Sequence, residues 1–375
     1  DACVGLDSDT IERTRENLDT VDAFGLKASS SFAWLNERLV LRAGTEGRFE
    51  LVASEGWDSK TSGAIRGTFS DGSYYAGADL FAQLEGRPYI NPGVFELVLT
   101  GGARVGSIFA HAEDVPGLGE VNYTHVNPAF SAGVRALLFN QVNLFATFHE
   151  GVRAPNLQET TALGDTGNFF EVPNDALGPE RADSIEVGVR AHLGWLKAEA
   201  LYVHTWLSDA IVRSEVEDAQ TLYPEADGAS VMQRVNAEGA ELDGVELGLE
   251  TGAVMGVSAF TELAWLQSDV TRLDGSVEPG RRIPPLQGSA GLRWTSPAYD
   301  TSIGAAFRWA AAQTRLSSGD RKDLRICADP EAPWNTLGEA CEGTPGWATL
   351  DLNAGLSPKE GMRINMSIIN LLNVK

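Results

Sequence analysis

Residues 142–190 read VNLFATFHEGVRAPNLQETTALGDTGNFFEVPNDALGPERADSIEVGVR, and this stretch decides the fold. It begins with an alternating segment, Val142-Asn-Leu-Phe-Ala-Thr-Phe148. A period of two is the signature of a strand with one face apolar. The pattern breaks at Gly151 and Pro155 and passes through a polar loop with further Gly and Pro. Pro179-Glu180 then leads into a second alternating segment, Ile185-Glu-Val-Gly-Val-Arg190. Strand, long loop, strand is the unit that recurs along the chain.

Working outward, alternation recurs at residues 19–34, 38–53, 74–84, 94–111, 123–138 and 142–152. It continues at 182–193, 196–212, 231–251, 257–271, 287–295, 301–314, 348–356 and 362–374. Many of these segments exceed the five or six residues typical of a soluble strand. A short helical turn is expected at 10–17. Brief turns fall near 35–37, 139–141, 192–194, 252–256, 296–300 and 357–361. Long polar loops fall near 54–73, 112–122, 153–181, 213–230, 272–286 and 315–347. Short turns at one end and long loops at the other mark an outer-membrane β-barrel. A soluble sandwich rarely keeps that asymmetry, and no blade-length repeat suggests a propeller.

Alternation also assigns faces. Ile185, Val187 and Val189 oppose Glu186, Gly188 and Arg190, and Val245, Leu247 and Leu249 oppose Glu246, Gly248 and Glu250. A lipid-facing Arg costs about 2–4 kcal/mol at the bilayer midplane. Arg190, Arg293 and Arg363 are therefore expected in the lumen. Trp34, Phe148, Trp195, Trp206, Trp294, Trp309 and Trp347 sit near strand ends, where interfacial girdles form.

The 375 residues carry 43% hydrophobic residues, and no apolar run is long enough for a spanning helix. Acidic residues number 52 against 29 basic, a net charge of −23, which argues against a nucleic-acid partner. The acidity reads either as solvated loops or as a field that attracts cations. Cys327 and Cys341 share one Pro/Gly-rich segment, as a loop disulfide would, and Cys3 is left without a partner. The opening DACVGLDSDTIERT is neither a start signal nor a domain start, so residues before Asp1 are expected.

At this point the sequence resembles the TonB-dependent outer-membrane receptors, in the C-terminal part of their barrel. The resemblance rests on Phe148-His-Glu-Gly-Val-Arg-Ala-Pro-Asn156 with Glu159, then Leu177-Gly-Pro-Glu180 and the strand containing Glu186. Asn236 with Gly244-Val-Glu246, Arg282-Ile-Pro-Pro285, Leu350-Asp-Leu352 and Ile369-Asn-Leu-Leu-Asn373 follow in the same order. Each motif alone is weak, but their shared order over 142–375 is specific, whereas residues 1–141 fit by pattern only. The resemblance implies an all-β, transmembrane antiparallel barrel, about strands eight to twenty-one of a twenty-two-stranded plugged barrel. Residues 1–375 would be one partial barrel domain. The plug with its energy-coupling box, the first strands and the closing strand are expected outside this sequence.

What the resemblance further implies is TonB-dependent import of a scarce ligand across the bacterial outer membrane, with long loops extracellular. Ferric siderophore, haem, cobalamin and glycan are the ligand classes. The partners would be the TonB energy-coupling complex through the plug, outer-membrane lipid, a small-molecule or metal-chelate ligand, and a surface lipoprotein. The alternative is a non-transporting surface or assembly barrel. No resident cofactor is implied.

Individual residues read two ways. His149, Glu150 and Arg153 top a strand, where they touch ligand or anchor the loop base. Phe169, Phe170, Tyr223 and Trp334 lie in long loops, where they meet a flat ligand or pack the loop itself. Glu186, Arg190 and Glu246 would line the lumen. Glu217, Asp218, Glu225 and Asp227 bind calcium or form a solvated acidic loop. His111, His125 and His204 lack metal-ligand spacing, and no metal site is expected. No nucleophile–base pair or phosphate loop appears, so no enzyme is expected.

Overall fold

The computed structural model describes residues 15–58, 63–165, 169–216, 223, 226, 230–236, 239–296, 300–327 and 341–374. The first wall strands are β1 (Arg15–Trp34), β2 (Leu39–Asp58), β4 (Tyr74–Asn91), β5 (Phe95–Val115), β6 (Gly119–Leu138) and β7 (Val142–Arg153). They continue with β10 (Glu180–His192), β11 (Leu196–Ser208), β14 (Gly239–Thr251), β15 (Val257–Thr271) and β17 (Gln287–Ser296). β18 (Thr301–Ala310), β19 (Trp347–Lys359) and β20 (Met362–Ile368) complete the path. Each pairs with its neighbour in this order, always antiparallel. Short strands of the loops are β3 (Gly63–Arg66), β8 (Gly164–Asp165), β9 (Phe170–Val172), β12 (Ile211–Glu215), β13 (Val231–Asn236) and β16 (Val277–Pro279).

The turn–loop asymmetry is present. Leu35, Asn36 and Glu37 close β1 onto β2 with three consecutive left-handed residues (φ 54°, 55° and 64°). Phe139 and Asn140 do the same between β6 and β7. The long connections leave from the opposite ends of the strands. One expected loop is different: residues 112–122 continue β5 and β6 as a hairpin, with Val115 opposite Gly119. Gly117 and Gly119 at φ 80° and 77° allow that tight reversal, which other residues enter at a cost. The segment read as one strand over 196–212 breaks at Asp209 (φ 55°) into β11 and β12. Residues 15–17 of the expected helical turn belong to β1, and the rest of it lies outside the described residues.

Register carries each face across the wall. Lys27 pairs with Glu46, Glu46 with Asp79, and Asp79 with Gly106. Further along, Asn143, Arg190, Glu199 and Gly248 are successive partners, followed by Glu262 and Ser289. These residues form a polar, mixed-charge face. The other parity gives Leu144, Val189, Ala200, Leu247 and Leu263. This apolar face is exposed (Val187 49%, Leu247 43%, Leu292 58%), as lipid-facing side chains of a barrel wall are. Arg190 and Arg293 lie on the charged face. Trp34, Trp195, Trp206, Trp294 and Trp309 sit at or next to strand ends, whereas Phe148 lies in the middle of β7, opposite Ile185, and so leaves the girdle expected of it. Trp347 pairs with Ala310, whose parity is that of Arg308 on the charged face, so it leaves the girdle expected of it.

The compact hydrophobic clusters lie in the loop end. Val52, Ala110, Ala112, Val115, Val121 and Leu157 form one, with Phe69, Tyr75 and Tyr123 against it. Phe170, Val172, Ala226 and Val231 form a second. A third loop assembly joins β16 to the helical turns Ser318–Arg321 and Leu324–Cys327.

Candidate functional site

The loop end is built from the top of β7 upward. Arg153, the last residue of β7, donates from Nη1 and Nη2 to the two Glu159 oxygens at 2.7 and 3.0 Å. Its Nε donates to Glu180 at 2.5 Å. Glu180 also accepts from the Ile211 backbone at 2.6 Å. Glu159 is the N3 residue of a capping box with Asn156, which starts the helical turn Leu157–Thr161. One guanidinium thus ties a strand end, a helix start and the base of the next wall strand. Its fork geometry suits two carboxylates better than an ammonium would.

His149 and Glu150 do not join this knot. His149 pairs in register with Ser131 and Ser184 on the charged face. Glu150 has the opposite parity and accepts from the Phe130 backbone at 2.9 Å. The three neighbours in sequence therefore occupy different surroundings.

Above the knot, the loops after β7 and β11 share a small sheet in the order β12-β13-β9-β8. β9 and β13 run parallel, Phe170 opposite Val231. Glu171 within β9 is 2% exposed. Its carboxylate meets Arg234 at 2.5 Å and Arg213 at 3.4 Å. Asn174 and Gln233 add hydrogen bonds across the two loops, to Arg234 O and Pro173 O. Phe170 is 4% exposed and packs inside this sheet's core, with Tyr223 beside it. Phe169 instead stacks under the Arg213 guanidinium, 4.6 Å from the ring centroid.

Next to it, the extended β5–β6 hairpin leans on the same helical turn. Tyr123 donates to Pro155 O at 2.6 Å, and burial pushes its phenol well above the usual range, so it remains a neutral donor. At its outer part, His111 donates from Nδ1 to Asn122 Oδ1 (2.7 Å), with Glu113 and Glu120 near. The Asn122 contact leads, with the two carboxylates after it, in raising the His111 pKa.

Glu186, Arg190 and Glu246 all fall on the charged face of the wall. Arg190 pairs with Glu199 at 2.9 Å and covers the Phe145 ring at 5.3 Å. Near the short-turn end, a groove of about 770 Å³ is lined by Arg190, His192, Lys197, Glu199, Glu250 and Arg293 among others. Lys197–Glu250 and Lys27–Glu46 are exposed register pairs of the same kind (3.1 and 3.3 Å). Such pairs contribute about 0–1 kcal/mol each, so they shape a polar lumen rather than stabilise it.

Cys327 and Cys341 are joined by a disulfide. Trp334, the acidic set Glu217, Asp218, Glu225 and Asp227, and Cys3 lie outside the described residues. Among the described residues, no three His, Cys, Asp or Glu side chains converge as a metal site. No helix there is long and apolar enough to cross a membrane, which leaves strands free to do so. The paired buried Glu171 escaped the sequence reading, because nothing local distinguishes a buried acid from a solvated one. Asn156-x-x-Glu159, by contrast, has the spacing of a capping box.

An antiparallel wall with one charged and one apolar face, short turns below and packed loops above, is that of a transmembrane β-barrel. The family model "TonB dependent receptor-like, beta-barrel" matches residues 7–371, and the chain belongs to that family. Similar solved structures include the copper transporter OprC (TM-score 0.71, 17% identity, 96% of this chain and 52% of that one). The FrpB iron transporter from Neisseria meningitidis, F3-3 variant, is also similar (0.67, 17%, 96% and 51%). A third is the Serratia marcescens hemophore receptor HasR, solved with HasA and heme (0.65, 16%, 95% and 57%). At these identities the likeness is one of fold, and the chain spans about half the length of these structures. No curated protein sequence matches the chain.

Proposed function

We propose that this chain is the greater part of the barrel of an outer-membrane receptor that imports a scarce ligand by TonB-coupled uptake. It acts as one barrel domain, at about strands eight to twenty-one of a twenty-two-stranded barrel with a plug. The observation that carries the reading is the continuous charged face beneath a folded loop end, in a member of this family. The loops lie outside the cell and meet the ligand, and the charged wall forms the watery path.

Within that reading, Phe169 and His149 contact the ligand or its path, as do Glu186, Arg190 and Glu246 lower down. Arg153, Phe170 and Tyr223 hold the loop scaffold instead, since their side chains are engaged there. The ligand is a metal ion, metal chelate or haem-type compound, a reading supported by the copper, iron and heme of the similar structures.

The test is uptake by cells with and without the full-length protein, each with and without TonB. The panel is labelled ferric siderophores, haem, cobalamin and copper. Accumulation of one of these only when both proteins are present is the expected result. Equal accumulation of every compound in all four strains would leave a non-transporting surface barrel in its place.

A further inference from the structure

The chain as a whole is strongly acidic, yet one part of the loop end gathers arginines around a single carboxylate. It lies between β15 and β17 and between β18 and β19. Asp323 receives Arg282 at 2.7 Å, Arg325 at 2.8 Å and Arg281 at 3.6 Å. Its side chain is 7% exposed, while those of the three arginines are 57%, 52% and 72% exposed for Arg281, Arg282 and Arg325. One carboxylate cannot balance three guanidiniums. Hydrogen bonds from Arg325 and then Arg282 hold the Asp323 carboxyl well below its usual range, so it stays ionised as their organiser.

Two more cations, Arg321 and Lys322, are exposed beside it. Arg321 donates to Cys341 O at 3.0 Å, across the disulfide-bonded loop. A neighbouring acid, Asp320, is 2% exposed and spends its oxygens on Ser317 and on the Arg282 backbone at 3.2 and 3.3 Å. That backbone contact holds Arg282 at φ 56°, a left-handed conformation that a long side chain adopts at a cost. From that backbone the Arg282 guanidinium reaches Asp323 while half of its side chain stays exposed. Guanidinium forks match the oxygens of carboxylates and phosphates, and lose less hydration than an ammonium on doing so.

We infer that Arg281, Arg282 and Arg325, organised by Asp323, form an anion-binding site for a ligand bearing carboxylate or phosphate oxygens. It rests on the receptor reading only for the side of the membrane on which it lies. The same oxygens occur on soluble chelates and on lipid headgroups.

The test uses the full-length protein purified in detergent at low ionic strength, titrated calorimetrically with citrate and pyrophosphate. Lipid A vesicles form a second arm. Arg281→Gln with Arg325→Gln should weaken binding at least about tenfold, the size expected for losing charge-assisted bonds. Arg325→Gln alone gives an intermediate loss should the pair disturb the loop, with the intact Cys327–Cys341 bond as the folding check. Arg38→Gln, at the short-turn end, should bind as the parent does. Binding of the free anions assigns a soluble ligand, and arginine-dependent binding of vesicles alone assigns a headgroup. Failure of the parent to bind either, or equal binding by the parent and both folded variants, overturns the inference. Because no transport is scored, failed uptake and failed anion binding remain separate results.

Discussion

The apolar face of the wall and the cores of the loops use similar side chains in opposite ways. On the wall, Leu26 is 76% exposed and Leu80 66%. In the loops, Ala112 is 0%, Val115 1% and Val172 1% exposed. The wall leaves its apolar surface for lipid, so its strands are held by backbone pairing and satisfied ladder bonds. The loops face water and fold as small soluble domains do, by burying apolar area and pairing the polar groups that go with it. The difference teaches that the loop end has its own stability and can be loosened without unfolding the wall.

Glu171→Ala should break the loop side of that contrast most strongly. It leaves Arg213 and Arg234 facing a buried gap, which costs about 3–5 kcal/mol where one partner of a buried pair is removed. Hydrogen exchange should rise across β9, β12 and β13 while β10 and β11 keep their protection. Uniform loosening of loops and wall would erase the distinction. Val189→Arg breaks the wall side, at about 2–4 kcal/mol near the bilayer midplane. Arg190→Leu should cost far less, read as the fraction that refolds into lipid vesicles. Equal, mild losses would mean the two faces are misassigned.

Tyr123→Phe sharpens the comparison at a single bond. The hairpin would lose its hydrogen bond to Pro155, worth about 1 kcal/mol, with local exchange as the readout. The smallest effect concerns pH. His111 has its folded pKa raised above the unfolded 6.5 by Asn122, Glu113 and Glu120. Its contribution is therefore complete below pH 6.5 and fades as pH rises through the higher folded value. Exposed pairs of this kind contribute a few tenths of a kcal/mol, so protection at the β5–β6 tip, corrected for the intrinsic base-catalysed exchange rate, should fall slightly from acid to alkaline pH. His111→Gln should remove that slope.

Wall and loops also differ in how far the sequence reveals them. Alternation places the fourteen wall strands, and the faces of segments such as 185–190 and 245–250, because every second residue of a wall strand reports the same neighbour, lipid or lumen. It stopped short of the β5–β6 hairpin, whose polar tip looks like a loop until Gly117 and Gly119 turn it. The small sheet joining the loops was invisible, since β9 is three residues long and pairs with β13 some sixty residues away. Among site residues, Arg190, Glu186 and Glu246 were placed on the charged face by parity alone. Phe170 was not distinguishable from Phe169, because burial in a loop core depends on the partner loop. Cys327 and Cys341 were legible from their shared segment.

The most direct measurement is a paramagnetic accessibility scan of β10 in the membrane-embedded full-length protein. Single spin labels would replace Ile185, Glu186, Val187, Val189 and Arg190 in turn. Oxygen, concentrated in lipid, should broaden labels at 185, 187 and 189, and a water-soluble nickel chelate those at 186 and 190. A two-residue alternation in opposite phase for the two reagents is the expected result. Labels that all respond to the nickel chelate, or that reverse the phase, would contradict a lipid-facing apolar wall around a charged lumen.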